Sequence, residues 1–373
     1  MKPLEGIFVV ALEQAVAGPI CSMRLADAGA RVVKIERPEG DPARHYDHAV
    51  QGTSAYFAWA NRGKESAVLD VKQPADLALV KRMIGRADVF IQNFAPGAAS
   101  RLGLGATNLV ARHPKLIAVD IVGYGRDTPY GAMRAYDMLV QAESGICAVT
   151  GTPETPSKVG VSIADTAAGM NAHAAVLEAL IARGRDGRGR AIEIALFDGM
   201  ADWMSVPLMH YEHRGQVTGR HGLSHASIYP YGTFRCRDGE VVIAIQNRAE
   251  WQRLCEGVLG RPDLFADPRF ADNPARVTNR RALDAEIGPI FAGLCIAEAI
   301  AKLEAGKIAW AKVTGLAELS VHPALRRIPV DIPGGRFQAV APALHPNLSA
   351  GPVPALGEHT ESLRQEFIKA NPA

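Results

Sequence analysis

The chain has 373 residues, a formal net charge of +2 and 48% hydrophobic residues, the composition of an ordinary soluble globular protein. So small a net charge argues against a nucleic-acid-binding protein that depends on bulk electrostatics. No apolar run reaches the length of a membrane span, and residues 1–7 lack the apolar core of a signal peptide. The five cysteines are widely spaced, so we expect reduced thiols, no zinc site and a cytoplasmic protein.

The first third of the chain alternates between predicted strands and predicted helices. Short apolar runs bounded by turn residues predict buried strands at 6–12, 31–35, 66–71, 88–92 and 116–122, and helical spacing predicts helices at 20–28 and 75–87. This order predicts an α/β fold with a parallel sheet covered by helices. The Gly-x-Gly-x-x-Gly fingerprint is missing after the first strand, which weighs against a dehydrogenase.

Basic and amide side chains follow several of these predicted strands. Arg37, Lys72 and Asn93 lie at strand exits, and Arg101 lies in the helix after Asn93. Ligands of parallel sheets bind beyond the carboxyl ends of the strands. Any one of these cations is explained by ordinary surface polarity, whereas several at one edge of a sheet favour an anionic ligand.

Asp165 lies between a predicted buried strand at residues 159–164 and a predicted helix at residues 166–183. One interpretation is a helix N-cap, for which aspartate is a preferred residue. The other is a nucleophile, because a helix N-terminus favours the ionised carboxylate that an attack on a thioester requires. The two interpretations are compatible, and the local sequence leaves both open.

The second half of the chain changes in composition near residue 225. A strand is predicted at 191–196, and residues 219–232 form a polar, glycine-containing loop suited to cover a site. A hairpin with an Asp-Gly turn and three helices follow, which predicts a smaller α+β domain at residues 225–325. Residues 1–224 and 326–373 are then expected to form one large, discontinuous domain.

Six motifs in the chain resemble those of class III CoA-transferases, the formyl-CoA and carnitine CoA-transferase type. They are Ala17-Gly18-Pro19, Lys34-Ile35-Glu36-Arg37-Pro38 with Gly40-Asp41, Leu69-Asp70-Val71-Lys72, Asn93-Phe94-x-Pro96-Gly97, Ala164-Asp165 with Gly169-Met170, and Leu356-Gly357-Glu358-His359-Thr360. They keep the family's order over nearly the whole chain. The resemblance implies a Rossmann-like large domain, a smaller α+β domain, and two chains interlocked as a homodimer.

The resemblance also implies roles for individual residues. The family's catalytic aspartate falls on Asp165, which would pass through an aspartyl anhydride and an aspartyl-CoA thioester. Positions expected to contact coenzyme A are Val16, Ala17, Arg37, Leu69, Lys72, Asn93, Phe94, Arg101 and Arg134. Coenzyme A would be a substrate, and neither a prosthetic group nor a metal is expected.

Two departures from the family pattern concern the substrate. Val16 stands where formyl-CoA transferase has glutamine, and residues 223–227 replace that enzyme's glycine run, so formate/oxalate exchange is not expected. Arg220, His221 and His225 in this loop are candidates to receive the distal carboxylate of a C4–C5 dicarboxylic acid, such as itaconate, mesaconate, malate or glutarate, with succinyl-CoA as donor. The alternative for these three residues is solvated loop polarity.

Two other functions fit part of the sequence. An α-methylacyl-CoA racemase shares the expected fold, but it needs a second proton-transferring group, and the segment Met133-Arg134-Ala135-Tyr136-Asp137 contains no histidine. A non-catalytic acyl-CoA-binding protein would keep the cations but would not need Asp165.

Overall fold

A computed structural model describes residues 2–368 of the chain. These residues divide into two compact units. The first contains residues up to Cys147, Lys158–Met209 and residues from Arg326 onward, and the second contains Ala148–Ser157 and His210–Leu325. The sequence-based division placed residues 148–157 and 210–224 in the large domain, whereas the structure places them in the second unit. Residues 1 and 369–373 of the expected large domain lie outside the described residues.

The first unit is built on a six-stranded parallel sheet. Its strands are β1 (Phe8–Leu12), β2 (Arg31–Glu36), β3 (Lys64–Val68), β4 (Val89–Gln92), β5 (Ile117–Val122) and β6 (Arg190–Ala195). They lie in the order β3-β2-β1-β4-β5-β6, which is the strand order of doubly wound nucleotide-binding folds. The expected α/β fold with a parallel sheet is therefore confirmed.

The apolar runs form buried strands because both faces of this sheet are covered. In β1, Val9 and Ala11 pack into the core on one face, and Val10 and Leu12 pack into the core on the other. All four side chains are at most 1% exposed. Successive residues of a strand point to opposite faces, so a strand between two helical layers needs a continuous apolar run.

Ten α-helices lie between β1 and residue 214. They are α1 (Ala17–Asp27), α2 (Ala55–Ala60), α3 (Pro74–Arg86), α4 (Ala98–Arg101), α5 (Ala106–Arg112), α6 (Asp137–Glu143), α7 (Ile146–Val149), α8 (Ile163–Asp186), α9 (Leu196–Trp203) and α10 (Ser205–Arg214). Helices α7 and α10 contain points at which the chain passes between the units.

Two sequence-based expectations about strands are wrong. The strand predicted at residues 66–71 ends at Val68, so Lys72 lies in the turn before α3 and not at a strand exit. The strand predicted at residues 159–164 does not form: residues 159–162 are an irregular segment, and α8 begins at Ile163. Val159 N and Val161 O of this segment bond to the side chain of Gln141 in α6 instead of to a neighbouring strand.

The second unit has its own sheet and its own core. Strands β7 (Tyr231–Cys236), β8 (Gly239–Ala244) and β9 (Ala309–Lys312) are antiparallel, and β7 and β8 form the predicted hairpin. Its other helices are α11 (Arg248–Arg253), α12 (Pro262–Ala266), α13 (Asn273–Thr278), α14 (Arg280–Ala292), α15 (Ile296–Ala305) and α16 (Leu316–Ser320). Trp251, Phe270 and Phe291 are fully buried in this core.

The last part of the chain returns to the first unit. Strands β10 (Arg327–Ile332) and β11 (Gly335–Val340) form an antiparallel hairpin, and α17 (Thr360–Ile368) follows. Leu363 and Phe367 of α17 pack in the same core as Leu79 and Met83 of α3. Among residues 2–368 we find no helix with the length and apolar character that crossing a bilayer requires.

Candidate active site

Asp165 is the third residue of α8, a helix of 24 residues. It does not cap the helix, so the N-cap interpretation is wrong. The cap is supplied by Asp137, the first residue of α6, whose Oδ1 accepts hydrogen bonds from Ala164 N (2.8 Å) and Asp165 N (3.2 Å). A carboxylate at this point satisfies two of the free N–H groups of the first turn.

The entry into α8 is fixed by a second residue of α6. The side-chain oxygen of Gln141 accepts from Val159 N at 2.8 Å, while its amide nitrogen donates to Asp137 Oδ2 at 2.7 Å. The segment before Asp165 is therefore held through side chains that are 18 to 27 residues away in the sequence. The position of Asp165 depends on this tertiary contact as much as on the helix itself.

The carboxylate of Asp165 is half-buried and accepts no hydrogen bond from the residues that the structure describes. Burial raises the pKa of Asp165 from its ordinary 3.8 to about 7, and the negative charge of Asp137 adds to the rise. The helix N-terminus was expected to favour the ionised carboxylate, but burial and the neighbouring carboxylate outweigh it here. At neutral pH the group lies near the middle of its titration, which suits a nucleophile that must be regenerated in every turnover.

Asp165 opens onto a cavity of about 300 Å³. Five of the nine positions expected to contact coenzyme A line the same cavity: Val16, Ala17, Asn93, Phe94 and Arg134. The structure thus brings together the end of β1, the start of α1, the residues after β4 and the start of α8. These are carboxyl ends of strands and amino ends of helices, where parallel sheets bind ligands.

A second cavity of about 690 Å³ adjoins the first. It is lined by Arg37, Leu69, Lys72 and Arg101, the other four expected positions, and again by Phe94. Gln14 and Phe94 line both cavities and so mark the place where they meet. All nine expected positions therefore lie along one continuous surface that ends at Asp165.

The three cations of the second cavity make no ion pair with any residue that the structure describes. The Arg37 side chain donates one hydrogen bond, from Nε to the backbone oxygen of Gly40 at 2.9 Å. Glu13, Glu36 and Asp41 also line this cavity, but all three are buried and paired, with Lys64, Arg44 and Lys34 respectively. Glu39 and Asp70 line it as well and make no ion pair with the described residues. The unpaired positive charge is thus available to an anion such as a phosphate.

The residues expected to receive a distal carboxylate belong to the second unit. The guanidinium of Arg220 donates to the backbone oxygens of Thr152 and Pro153, both at 2.8 Å, so its donors hold this segment of chain. Burial, with Arg280 and His225 nearby, lowers the pKa of His221 and favours its neutral form. The ring of His225 stacks on Tyr231 at 5.3 Å between centroids. The side chains of Arg220 and His225 thus make contacts within their own unit.

Sequence reasoning missed two residues that shape the site. Gln14 lines both cavities, and Asp137 caps α8 and raises the pKa of Asp165. The one sequence signal for Gln14 was its place three residues before the motif Ala17-Gly18-Pro19. Nothing local marks Asp137, because its effect depends on how α6 packs against α8.

Comparisons with known proteins agree with this geometry. The family described as CoA-transferase family III matches residues 4–360 of the chain. The acetyl-CoA:oxalate CoA-transferase of Acetobacter aceti is 38% identical over 288 residues, covering 76% of this chain and 74% of that protein. The succinyl-CoA:glutarate CoA-transferase of Mus musculus is 31% identical over 386 residues, covering 99% and 87%. The crystal structure of a CAIB/BAIF family protein from Brucella suis matches with a TM-score of 0.81 and 34% identity, covering 98% of this chain and 99% of that one.

Proposed function

The chain belongs to CoA-transferase family III, and we propose that it moves coenzyme A from an acyl-CoA to a free carboxylic acid through covalent intermediates on Asp165. The observation that supports this most strongly is the carboxylate of Asp165, which lies without a hydrogen-bonding partner among the described residues on a cavity that continues into the one lined by Arg37, Lys72 and Arg101. A nucleophile is thereby placed at one end of a surface whose other end suits phosphates.

In the first half of the reaction, coenzyme A moves from the donor acyl group to Asp165. Ionised Asp165 attacks the thioester carbonyl of the acyl-CoA, the carbon–sulfur bond breaks, and a mixed anhydride and CoA thiolate form. The thiolate then attacks the aspartyl carbonyl of the anhydride, which gives the aspartyl-CoA thioester and releases the donor carboxylate. Covalent catalysis of this kind conserves the free energy of the thioester.

The second half repeats these steps in reverse order with the acceptor. The acceptor carboxylate attacks the aspartyl-CoA thioester, which forms a new anhydride and frees the thiolate. The thiolate attacks the acceptor's acyl carbon, and Asp165 leaves as a carboxylate. No proton is gained or lost overall, and each intermediate must be kept from water because anhydrides and thioesters hydrolyse readily.

The two cavities suggest how coenzyme A lies. Its phosphates would bind Arg37, Lys72 and Arg101, with the pantetheine arm passing Gln14 and Phe94 towards Asp165. The ring of Phe94 would face the adenine or the arm at the point where the cavities meet. This direction places the reactive sulfur at the smaller cavity, beside the carboxylate that must attack.

For the substrates, we propose succinyl-CoA as donor and a C4–C5 dicarboxylic acid as acceptor, with itaconate, mesaconate, malate and glutarate as candidates. The relative from Mus musculus bears a name of this type. Arg220, His221 and His225 remain the proposed loop contacts, and Arg134 is the cation that lines the cavity of Asp165. Because the relative from Acetobacter aceti is named for oxalate, oxalate must be tested beside the longer acids.

We propose further that the protein works as an interlocked homodimer. Support comes from apolar side chains that the single chain leaves exposed on α9 and α10, among them Trp203 (52% exposed), Val206 (55%) and Met209 (49%). Exposed apolar side chains grouped in this way mark interaction surfaces. Light scattering after size-exclusion chromatography tests this: a mass of two chains supports it, and a mass of one chain contradicts it.

The decisive test of function is a donor-by-acceptor matrix with product masses as readout. The unsubstituted enzyme should transfer coenzyme A from succinyl-CoA to at least one dicarboxylate, and Asp165→Asn should abolish the transfer. Asp198→Asn is the matched control, because Asp198 is also the third residue of a helix but is exposed and lines neither cavity. Transfer by Asp165→Asn above a trace would reject the proposed role, and transfer only to monocarboxylates would reject the proposed substrate class.

A further inference from the structure

The junction between β1 and α1 is held by side chains from elsewhere in the first unit. The carboxamide of Asn93 makes two hydrogen bonds to the backbone of Gln14: its Oδ1 accepts from Gln14 N, and its Nδ2 donates to Gln14 O, both at 2.9 Å. On the next residue, Ala15 N donates to Asp41 Oδ1, also at 2.9 Å. Three consecutive polar groups of the backbone are therefore bonded to side chains.

The conformation held in this way is strained. Ala15 has a φ of +61°, in the left-handed region that residues with a Cβ atom seldom adopt. Such a conformation persists only where the surrounding structure imposes it, and such residues cluster at functional sites. Here three bonds on the N-terminal side of Ala15, to Gln14 N, Gln14 O and Ala15 N, help to impose it.

Asp41 is itself firmly placed. It is 3% exposed, its Oδ2 pairs with the fully buried Lys34 Nζ at 2.7 Å, and its own N–H donates to Glu36 Oε2 at 3.0 Å. A carboxylate held from two directions supplies a rigid acceptor for Ala15 N. This gives a physical reason for the Gly40-Asp41 part of the motif that follows β2.

Two glycines make room for this arrangement. A Cβ atom on Gly18 would lie 2.9 Å from Glu13 Cβ and 3.3 Å from Asn93 Cγ, so a side chain there would press on the carboxamide as well as on Glu13. A Cβ atom on Gly169 would lie 2.6 Å from the backbone oxygen of Ala17. Gly169 is one helical turn beyond Asp165, so the nucleophile's helix packs directly on the first residue after the strained junction.

We infer that Asn93 and Asp41 are positioning residues, which hold residues 14–16 in the strained conformation that aligns the thioester with Asp165. This inference rests on the proposed function. It also changes the role of Asn93: the side chain uses one N–H group and its oxygen on the backbone of Gln14, so its contribution to transfer is to place the wall of the cavity.

The test separates positioning from binding. Asn93→Ala should lower kcat for transfer by about tenfold to 100-fold, since a displacement of about 1 Å costs this much. The Kd for free coenzyme A, measured by calorimetry, should change less than about threefold. Adding Ala15→Gly to Asn93→Ala should restore part of kcat, because glycine adopts the left-handed conformation without a Cβ penalty. Asn108→Ala, an exposed helical asparagine that lines neither cavity, is the control.

Amide hydrogen exchange supplies a readout that does not depend on activity. Two variants test this: Asn93→Ala, and Asn93→Asp, which keeps the acceptor for Gln14 N but loses the donor for Gln14 O. In both, exchange across residues 13–18 should speed up while the sheet stays protected. Unchanged exchange there would overturn the inference, as would a tenfold rise in the Kd for coenzyme A with kcat intact. Failure of the unsubstituted enzyme to form an aspartyl-CoA adduct would instead reject the proposed function.

Discussion

Replacing Asp137 by asparagine should make the enzyme active at lower pH. Burial and the charge of Asp137 raise the pKa of Asp165 from 3.8 to about 7, and burial is the larger of the two causes. A rise of this size makes the ionisation of Asp165 less favourable by about 4 kcal/mol. Asp137 accounts for less than half of this free energy, or about 1–2 kcal/mol. Asparagine keeps Oδ1 as the acceptor for Ala164 N and Asp165 N, so the helix cap survives, while the hydrogen bond from Gln141 to Oδ2 is lost.

The direction of the pH dependence follows from the protonation state in which Asp165 reacts. In the proposed mechanism only ionised Asp165 attacks, so kcat/KM should fall as the pH falls through about 7, with about one molecule in ten active at pH 6. In Asp137→Asn the midpoint should lie about one pH unit lower, which makes kcat/KM at pH 6 about fivefold higher relative to its own plateau.

The assay is the initial rate of aspartyl-CoA formation from succinyl-CoA between pH 5 and pH 9. Asp198→Asn serves as the control for loss of one carboxylate, and its profile should match that of the unsubstituted enzyme. A midpoint in Asp137→Asn that is unchanged or higher, with the adduct still formed at residue 165, would refute the account of the electrostatics.

Three further predictions concern other parts of the site. Gly169→Ala should lower both the melting temperature and kcat, because its Cβ would meet the backbone oxygen of Ala17. Gly184→Ala is the control in the same helix: with open space around it, it should be neutral or stabilise the protein by up to about 1 kcal/mol, and thermal unfolding measures the stability of both variants. Asp165→Asn should be more stable than the unsubstituted protein by up to about 4 kcal/mol at pH 8, with a gain that grows between about pH 4 and pH 7, because a raised pKa costs stability once the group must ionise in the folded state. Denaturant unfolding at several pH values measures this gain. Arg101→Gln should weaken coenzyme A binding about tenfold or more, and less so at high salt, which calorimetry at two ionic strengths resolves.

The sheet could be predicted from the sequence because its strands are buried on both faces. Apolar runs such as residues 6–12 and 116–122 leave little choice of structure, and β1 and β5 formed within them. The segment at residues 159–164 has a similar composition but no neighbouring strand to pair with, so composition misled there. Its backbone bonds to Gln141 and Asp137 instead, and such long-range partners are not visible in a local pattern.

The sequence predicted positions that the structure brings to two cavities, but it did not predict the contacts of their side chains. All nine expected positions line the two cavities, because the ends of neighbouring strands meet at one edge of the sheet. The partners of individual side chains depend on packing: Asn93 bonds to Gln14, Arg220 bonds to backbone oxygens, and neither could be read from residue type. The pKa of Asp165 was misjudged for the same reason, because burial and Asp137 both arise from tertiary structure.

The central claim is that coenzyme A becomes attached to Asp165 during turnover. The most direct measurement is the mass of the intact protein, and of its peptides, after brief incubation with succinyl-CoA in the absence of an acceptor. The account predicts a gain of one coenzyme A less one water on the peptide that contains Asp165, removed by hydroxylamine and missing in Asp165→Asn. Transfer without any such gain, or a gain at another residue, would contradict it.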